Sequence, residues 1–336
     1  MADAIDSPTP FHGLPVLVTG GCGFIGSHLV EQLVAAGADV TVLDNMRAGA
    51  VANLDEVADR IAVVCGDVRD RDVVAAVVAD AKPRLVFHLA ANASVPGSVE
   101  DPAYDFTTNC GGSFVVLDVL RTAASSARVV LASSGAVYGE PVLFPMREDA
   151  ALVPISPYGA SKLQAEVTAR MFWQVYGTPV VVARLFNTYG PRMTRFVVLD
   201  LLKKLRRDPS RLEVLGSGRQ TRDFTYVSDT VRGLCVLAAR GRCGESYNVS
   251  SGTSYSVASL ASMVLRARGL ADTAAICFTG SSWAGDAQRW EVSIDALREL
   301  GYNPRIPLSE GLLRTIEWFD RTDVRADRAP ALTPGR

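Results

Sequence analysis

Lysine and histidine are scarce in this chain of 336 residues. Of its 34 basic residues only Lys82, Lys162, Lys203 and Lys204 are lysines, and histidine occurs three times, at His12, His28 and His88. The formal net charge is -2 with both signs interspersed. That leaves no broad basic field for nucleic acid, so any anion binding has to be local. The six cysteines (Cys22, Cys65, Cys110, Cys235, Cys243 and Cys277) are scattered with no CxxC pair, so with only three histidines neither a disulfide framework nor a zinc site is suggested. No run approaches the ~20 apolar residues of a membrane span, and the acidic start lacks the basic-then-apolar pattern of a signal segment. The expectation is a cytoplasmic protein without a membrane partner.

What is present is a 48% hydrophobic composition, enough to bury one large core or two modest ones. Residues 15–19 form a short apolar β-rich run that meets Gly20-Gly21-Cys22-Gly23-Phe24-Ile25-Gly26, and a helical pattern follows over 27–36 and stops at Gly37. A second apolar run, 39–43, ends in Asp44-Asn45. Strand, glycine turn, helix, strand and acid in this order are the parts of a dinucleotide-binding βαβ unit. Its glycines let the backbone approach a pyrophosphate at a helix N-terminus, and its acid accepts ribose hydroxyls. Here the glycines are spaced GxxGxxG, at Gly20, Gly23 and Gly26. Asp44 would repel a 2′-phosphate, and no arginine directly follows it (Asn45, Met46, then Arg47), which favours NAD over NADP.

Further runs at 61–65, 85–89 and 128–132 are dense in Val, Leu and Ile without alternation, as in a parallel sheet covered on both faces. Ligands of such sheets sit beyond the carboxyl ends of the strands, where Asp67, Ala90, Ser133 and Ser134 fall. His88 lies inside its apolar run and reads as a core residue. A sixth strand, 180–185, leads into the turn-rich Phe186-Asn187-Thr188-Tyr189-Gly190-Pro191-Arg192. Beyond it come an amphipathic helix at 197–206, a Gly-Ser-Gly loop at 216–218 and helices near 228–240 and 256–268. The spacing predicts a discontinuous two-lobed body: 13–184 plus about 223–252 binding the dinucleotide, 185–222 plus 253–320 forming the second lobe, and poorly ordered ends at 1–12 and 321–336.

Tyr158 and Lys162 stand four apart at the head of a helical pattern, so their side chains share a face. An ammonium beside a phenol favours the phenolate and makes an acid-base group of a residue whose reference pKa is ~10.

Taken together, Thr19 to Gly26, Asp67-Val68, His88-Leu89-Ala90-Ala91, Ser133-Ser134-Gly135-Ala136-Val137-Tyr138-Gly139, Tyr158 with Lys162, Arg184-Leu185-Phe186-Asn187 and Arg222-Asp223-Phe224 through Asp229 resemble the extended short-chain dehydrogenase/reductase family, in particular its nucleotide-sugar enzymes. The resemblance spans roughly residues 14–320. It implies an α/β fold, a Rossmann-type doubly wound parallel sheet with a smaller mixed C-terminal substrate lobe, and bound NAD. Gly20, Gly23, Phe24, Ile25, Gly26, Asp44, Asn45, Asp67, Val68, Leu89, Ala90, Ala91 and Lys162 would hold the cofactor. Ser134, Tyr158 and Lys162 would be catalytic. Ser133, Ser134, Asn187, Arg192, Arg195, Arg222 and Asp286 would face a UDP-sugar.

Absences narrow the chemistry. Gly135-Ala136 replaces the Asp-Glu pair that 4,6-dehydratases of the family place after the catalytic Ser/Thr. Uronate decarboxylases of the family have a glutamate where Ala136 stands, and a basic pair where this chain reads Arg289-Trp290. Yet the turn 186–193 resembles that of those decarboxylases, and Arg192, with Arg195 close by, offers a guanidinium to a sugar carboxylate. The leading expectation is NAD-dependent 4-epimerisation of UDP-glucuronate to UDP-galacturonate. UDP-glucose/UDP-galactose epimerisation, UDP-glucuronate decarboxylation and, from another class, a non-catalytic NAD-binding sensor are the alternatives. A homodimer through helices at 111–124 and 162–176 is also expected.

Overall fold

The computed structural model describes residues 11–280 and 288–326. Its centre is a seven-stranded, all-parallel sheet in the order β10-β6-β5-β4-β1-β2-β3, made of β1 (Pro15–Thr19), β2 (Asp39–Asp44), β3 (Ile61–Cys65), β4 (Leu85–His88), β5 (Arg128–Ser134), β6 (Val180–Leu185) and β10 (Ser246–Val249). The order reverses between β1 and β4, and the crevice beyond the carboxyl ends of strands at such a switch point is where ligands bind. The Val/Leu-rich strands form here because both faces are covered. Val16 and Val18 point into one core and Leu17 into the other, all three essentially fully buried. Each such side chain contributes on the order of 1.5–3 kcal/mol by leaving water.

One face carries α1 (Phe24–Ala35) and α8 (Val227–Arg240). The other carries α2 (Arg71–Ala81), α5 (Gly112–Ala123) and α6 (Pro157–Tyr176). Two short helices, α3 (Val95–Glu100) and α4 (Pro102–Phe106), precede a single π-helical turn at Thr107–Gly111 that runs into α5.

After β6 the chain leaves the sheet. The smaller lobe holds β7 (Asn187–Tyr189), β9 (Thr221–Tyr226) and β11 (Ser254–Ser256) in one sheet, and β8 (Arg211–Val214) with β12 (Ala275–Phe278) in another. Around them pack α7 (Val197–Arg207), α9 (Val257–Ala267) and α11 (Leu308–Ala326). In α7 the buried Val198, Leu199, Leu201, Leu202 and Leu205 recur at helical spacing, and Lys204, Arg206 and Arg207 occupy the last turn, where the helix dipole favours cations.

Two lobe boundaries differ from the expectation. The chain re-enters the larger unit at α8 rather than at 223, because β9 pairs with β7 and β11. Val292, Ile294, Leu297 and Tyr302, around α10 (Asp295–Glu299), belong to the core under the main sheet instead of the smaller lobe. Among the described residues no helix is long and apolar enough to cross a membrane, and no cluster of His, Cys, Asp and Glu could hold a metal ion.

Candidate active site

A cavity of 810 Å³ lies at the carboxyl ends of the strands, between the two lobes. Its dinucleotide end is built from bare backbone. Gly20 is left-handed (φ +73), and a Cβ there would stand 2.7 Å from the Ala90 nitrogen; at Gly26 a Cβ would stand 2.1 Å from the Gly20 carbonyl oxygen. Side chains would push loop, strand and helix apart. No side chain caps α1, so its first-turn N–H groups are available to an anion. Gly23, Phe24 and Ile25 line this end, with Asn45, Val68, Leu89, Ala90 and Ala91. The Asp44 carboxylate at the end of β2 accepts the Cys22 N–H at 2.9 Å and the Met46 N–H at 2.8 Å, which fixes it at the cleft wall. This glycine cradle, uncapped helix and fixed acid suit NAD.

Arg47 also lines the cleft, with its guanidinium 3.8 Å from the centroid of the Tyr104 ring. It is stacked on an aromatic face rather than aimed at a 2′-phosphate. Asp67 does not line the cavity. Arg69 chelates its carboxylate at 2.9 and 2.8 Å and Asn45 donates to it at 3.0 Å, and the Arg69 hydrogen bonds foremost hold its pKa well below the ordinary carboxylate range. At this turn its neighbours Gly66 and Val68 line the cavity.

At the catalytic end, α6 begins where the sequence dictates. The Ser156 hydroxyl accepts the Gly159 N–H at 3.1 Å, Pro157 opens the first turn and left-handed Gly177 ends the helix. Tyr158 therefore sits in the first turn, and its own N–H donates to the Ser98 hydroxyl at 3.1 Å. Its phenol hydrogen-bonds Ser134, from the end of β5. Lys162, one turn on and buried, donates to the Ala132 carbonyl at 2.8 Å. Ser134, Tyr158 and Lys162 are thus brought together and line the cleft.

The electrostatics differ from the simple expectation. Burial raises the Tyr158 pKa, against the Ser134 hydrogen bond and the charge of Arg195, which lower it. Burial also brings Lys162 down to about 8, although Asp105 and Glu166 favour its charge. The cation that acts on the phenol is Arg195, because the Lys162 ammonium is turned to a carbonyl. His88 is core: it bonds the Thr19 hydroxyl at 2.7 Å and that of Ser113 at 3.0 Å, and burial pushes its pKa down to about 3.

On the substrate side, Asn187, Arg195 and Arg222 line the cleft. Asn187 donates to the Asp223 carbonyl at 3.1 Å; Arg222 donates to the Thr221 carbonyl at 2.7 Å and lies 5.2 Å from the Trp290 ring. Arg192 is not brought into the cavity. Left-handed at φ +68, it directs its guanidinium to α1, where it pairs with Glu31 and donates to Ser27 at 3.3 Å. Ser133 touches the cleft, but its hydroxyl is committed to Glu166 at 2.5 Å, so it buttresses the site and does not offer that group to a sugar. Glu166 in turn forms a buried ion pair with Arg184 at 2.8 Å. Asp286 lies outside the described residues.

Sequence reasoning missed a polar cluster behind the catalytic pair. Asp105 is fully buried; its carboxylate accepts Ser161 Oγ at 2.5 Å, Asn92 Nδ2 at 2.9 Å and Asn109 Nδ2 at 3.2 Å. The available signal is Asp105 and Asn109 four apart in a stretch that must bury one face. Gln220, buried and lining the lobe end, is a second miss.

The chain matches the family described as GDP-mannose 4,6-dehydratase over residues 17–314. It is 33% identical to the UDP-glucose 4-epimerase of Mycolicibacterium smegmatis over 309 residues, covering 90% of this chain and 97% of the relative. It is 34% identical to UDP-glucuronic acid decarboxylase 1 of Xenopus tropicalis over 314 residues, covering 90% and 72%. The dTDP-glucose 4,6-dehydratase DesIV of Streptomyces venezuelae, solved with NAD bound, is similar at TM-score 0.85 and 32% identity over 92% of this chain and 98% of that one.

Proposed function

This chain belongs to the GDP-mannose 4,6-dehydratase family of NAD-dependent nucleotide-sugar epimerases and dehydratases, within the extended short-chain dehydrogenases/reductases, and we propose that it is a UDP-sugar 4-epimerase acting on UDP-glucuronate. NAD supplies the hydride acceptor and donor. The chain's own part is to move a proton and hold the sugar. Tyr158 takes the proton from the C4 hydroxyl and returns it, Ser134 orients that hydroxyl, Arg195 favours the phenolate, and Lys162 would hold the nicotinamide ribose.

Epimerisation is favoured over 4,6-elimination by what stands beside Ser134. Among the described residues the cleft-lining carboxylates are Asp44, at the dinucleotide end, and Asp200, paired with Lys204 at 2.9 Å. Neither can serve as the acid and base of an elimination at the sugar. A Cβ on Gly135 would stand 2.4 Å from the Phe186 ring, so this position has no room for a carboxyl side chain.

The observation that carries the uronate assignment is Arg195. Its guanidinium lines the cleft within the electrostatic reach of Tyr158, faces only the Phe196 ring at 5.4 Å, and has no carboxylate partner among the described residues. A sugar carboxylate at C5 would supply one, and pairing would hold it away from the geometry in which a 4-keto uronate loses CO2. UDP-glucose is the second reading, supported by the relative so named. The homodimer would form through the apolar surface of α4–α6, where Phe106, Phe114 and Val167 are exposed.

Incubation with UDP-glucuronate is expected to give UDP-galacturonate by NMR, without CO2. Exclusive turnover of UDP-glucose refutes the uronate assignment. Arg195→Gln is expected to raise KM for UDP-glucuronate about 10–100-fold, the scale of a lost charged hydrogen bond, and to leave KM for UDP-glucose nearly constant in steady-state assays; because the guanidinium also lowers the Tyr158 pKa, any loss of kcat should be shared by both substrates.

A further inference from the structure

We propose that Asp105 is a positioning residue of the catalytic pair: through Ser161 it anchors the first turn of α6, and it supplies a fixed negative charge within reach of Lys162 and Tyr158. The inference rests on those two residues doing the chemistry.

The carboxylate stands at the convergence of three segments. From α6, Ser161, the immediate neighbour of Lys162, donates its hydroxyl to Oδ2 at 2.5 Å; from the loop after β4, Asn92 donates to Oδ1 at 2.9 Å; from the π-helical turn, Asn109 donates to Oδ1 at 3.2 Å. Asn109 also donates to Ser161 at 3.0 Å and accepts the Asn92 N–H at 2.8 Å, which closes the ring. Asp105 is fully buried and Asn109 and Ser161 nearly so. Burial pushes the Asp105 pKa up, and the three side-chain donors, with the charge of Lys162, act against that push. Every side chain that touches the carboxylate offers it a donor, and hydrogen bonds to the charged form favour that form. A buried carboxylate held so costs a good deal to keep.

Its charge reaches the reacting groups. Lys162 is faced by Asp105 from α4, by Glu166 from α6, by the Ala132 carbonyl of β5, and by His88 of β4, which burial keeps neutral. Tyr158 is faced by Ser134, Asp105 and Arg195. Glu166 is neutralised by its pairing with Arg184. Asp105 has no such guanidinium against it among the described residues, so it is the carboxylate whose charge remains for the pair. It raises the pKa of both groups. The sign follows: removing it lowers both, so the rising and falling limbs of the pH profile move together toward acid.

Asp105→Asn is the test, with kcat followed against pH on the NAD-containing enzyme. The expected result is a profile displaced by about 1 toward lower pH, the scale of one neighbouring charge. Adding Asn109→Asp, which restores a carboxylate to the cluster, should bring the profile back. A profile that stays in place while only thermal stability falls overturns the proposal and leaves Asp105 a packing residue. Should Asp105→Asn not fold, Ser161→Ala carries the test: kcat is expected to fall about tenfold with KM for the UDP-sugar nearly constant, and an unchanged kcat overturns the anchoring role. Failure of the underlying reading looks different, because Tyr158→Phe would then retain activity.

Discussion

Tyr158→Phe is expected to lower kcat by about 10²–10⁴-fold, the range for loss of a positioned acid-base group. The substitution removes one oxygen. The ring keeps its place in the first turn of α6, because the backbone N–H of residue 158 still donates to Ser98 and the Ser156 cap is untouched. The UDP-sugar KM and the content of bound NAD should therefore stay close to those of the unaltered protein, and the loss should fall in kcat. A Tyr158→Phe enzyme that turns over at the original rate removes the phenol from the chemistry. A raised KM with kcat intact makes Tyr158 a binding residue only.

Glu166→Gln is expected to show the largest loss of stability. Glu166 and Arg184 pair at 2.8 Å with side chains 2% and 1% exposed. Arg184 also donates to the Tyr138 hydroxyl at 2.7 Å and the Glu148 carbonyl at 2.9 Å, and Ser133 donates to Glu166. Neutralising the acid strands a guanidinium in the core, at a cost of about 3–5 kcal/mol. Chemical denaturation should show the unfolding free energy falling by that amount, through the midpoint, with the slope unchanged. Replacing both members, as in Glu166→Met with Arg184→Leu, should recover much of the loss, because the desolvation cost disappears with the charges. If the double variant is no more stable than the single one, the pair contributes through shape instead of charge.

What is legible in the sequence is what short spacing determines. The turn from Gly20 to Gly26 is readable because only glycine tolerates the approach to Ala90 and to the Gly20 carbonyl. Tyr158 and Lys162 are readable because a spacing of four at the head of a helix puts both side chains on one face. The parallel sheet is readable from strands that bury successive residues in opposite cores. What is not legible depends on distant segments meeting. Asp105 acquires its partners only when 92, 109 and 161 converge. The choice between Arg192 and Arg195 as the cleft-facing guanidinium turns on left-handed backbone at Arg192 (φ +68) and Phe196 (φ +83), which neither residue type announces. Asp67 looks like a cofactor ligand by position, and Arg69, two residues on, occupies it. Residues 292–302 follow the smaller lobe in order yet pack under the main sheet, a long-range choice that no local pattern records.

Trp290 gives the cleft an optical property of its own. The indole lines the cavity, meets Phe186 edge-on at 5.7 Å and has the Arg222 guanidinium 5.2 Å from its ring. Indole emission responds to the polarity and charge around the ring, and a guanidinium over its face is held by the ring quadrupole. A diphosphate that draws Arg222 toward itself alters that environment without touching the indole. If Arg222 meets the substrate diphosphate as proposed, Trp290 would report occupancy of the sugar-nucleotide half of the cleft in the unlabelled chain, before any turnover begins.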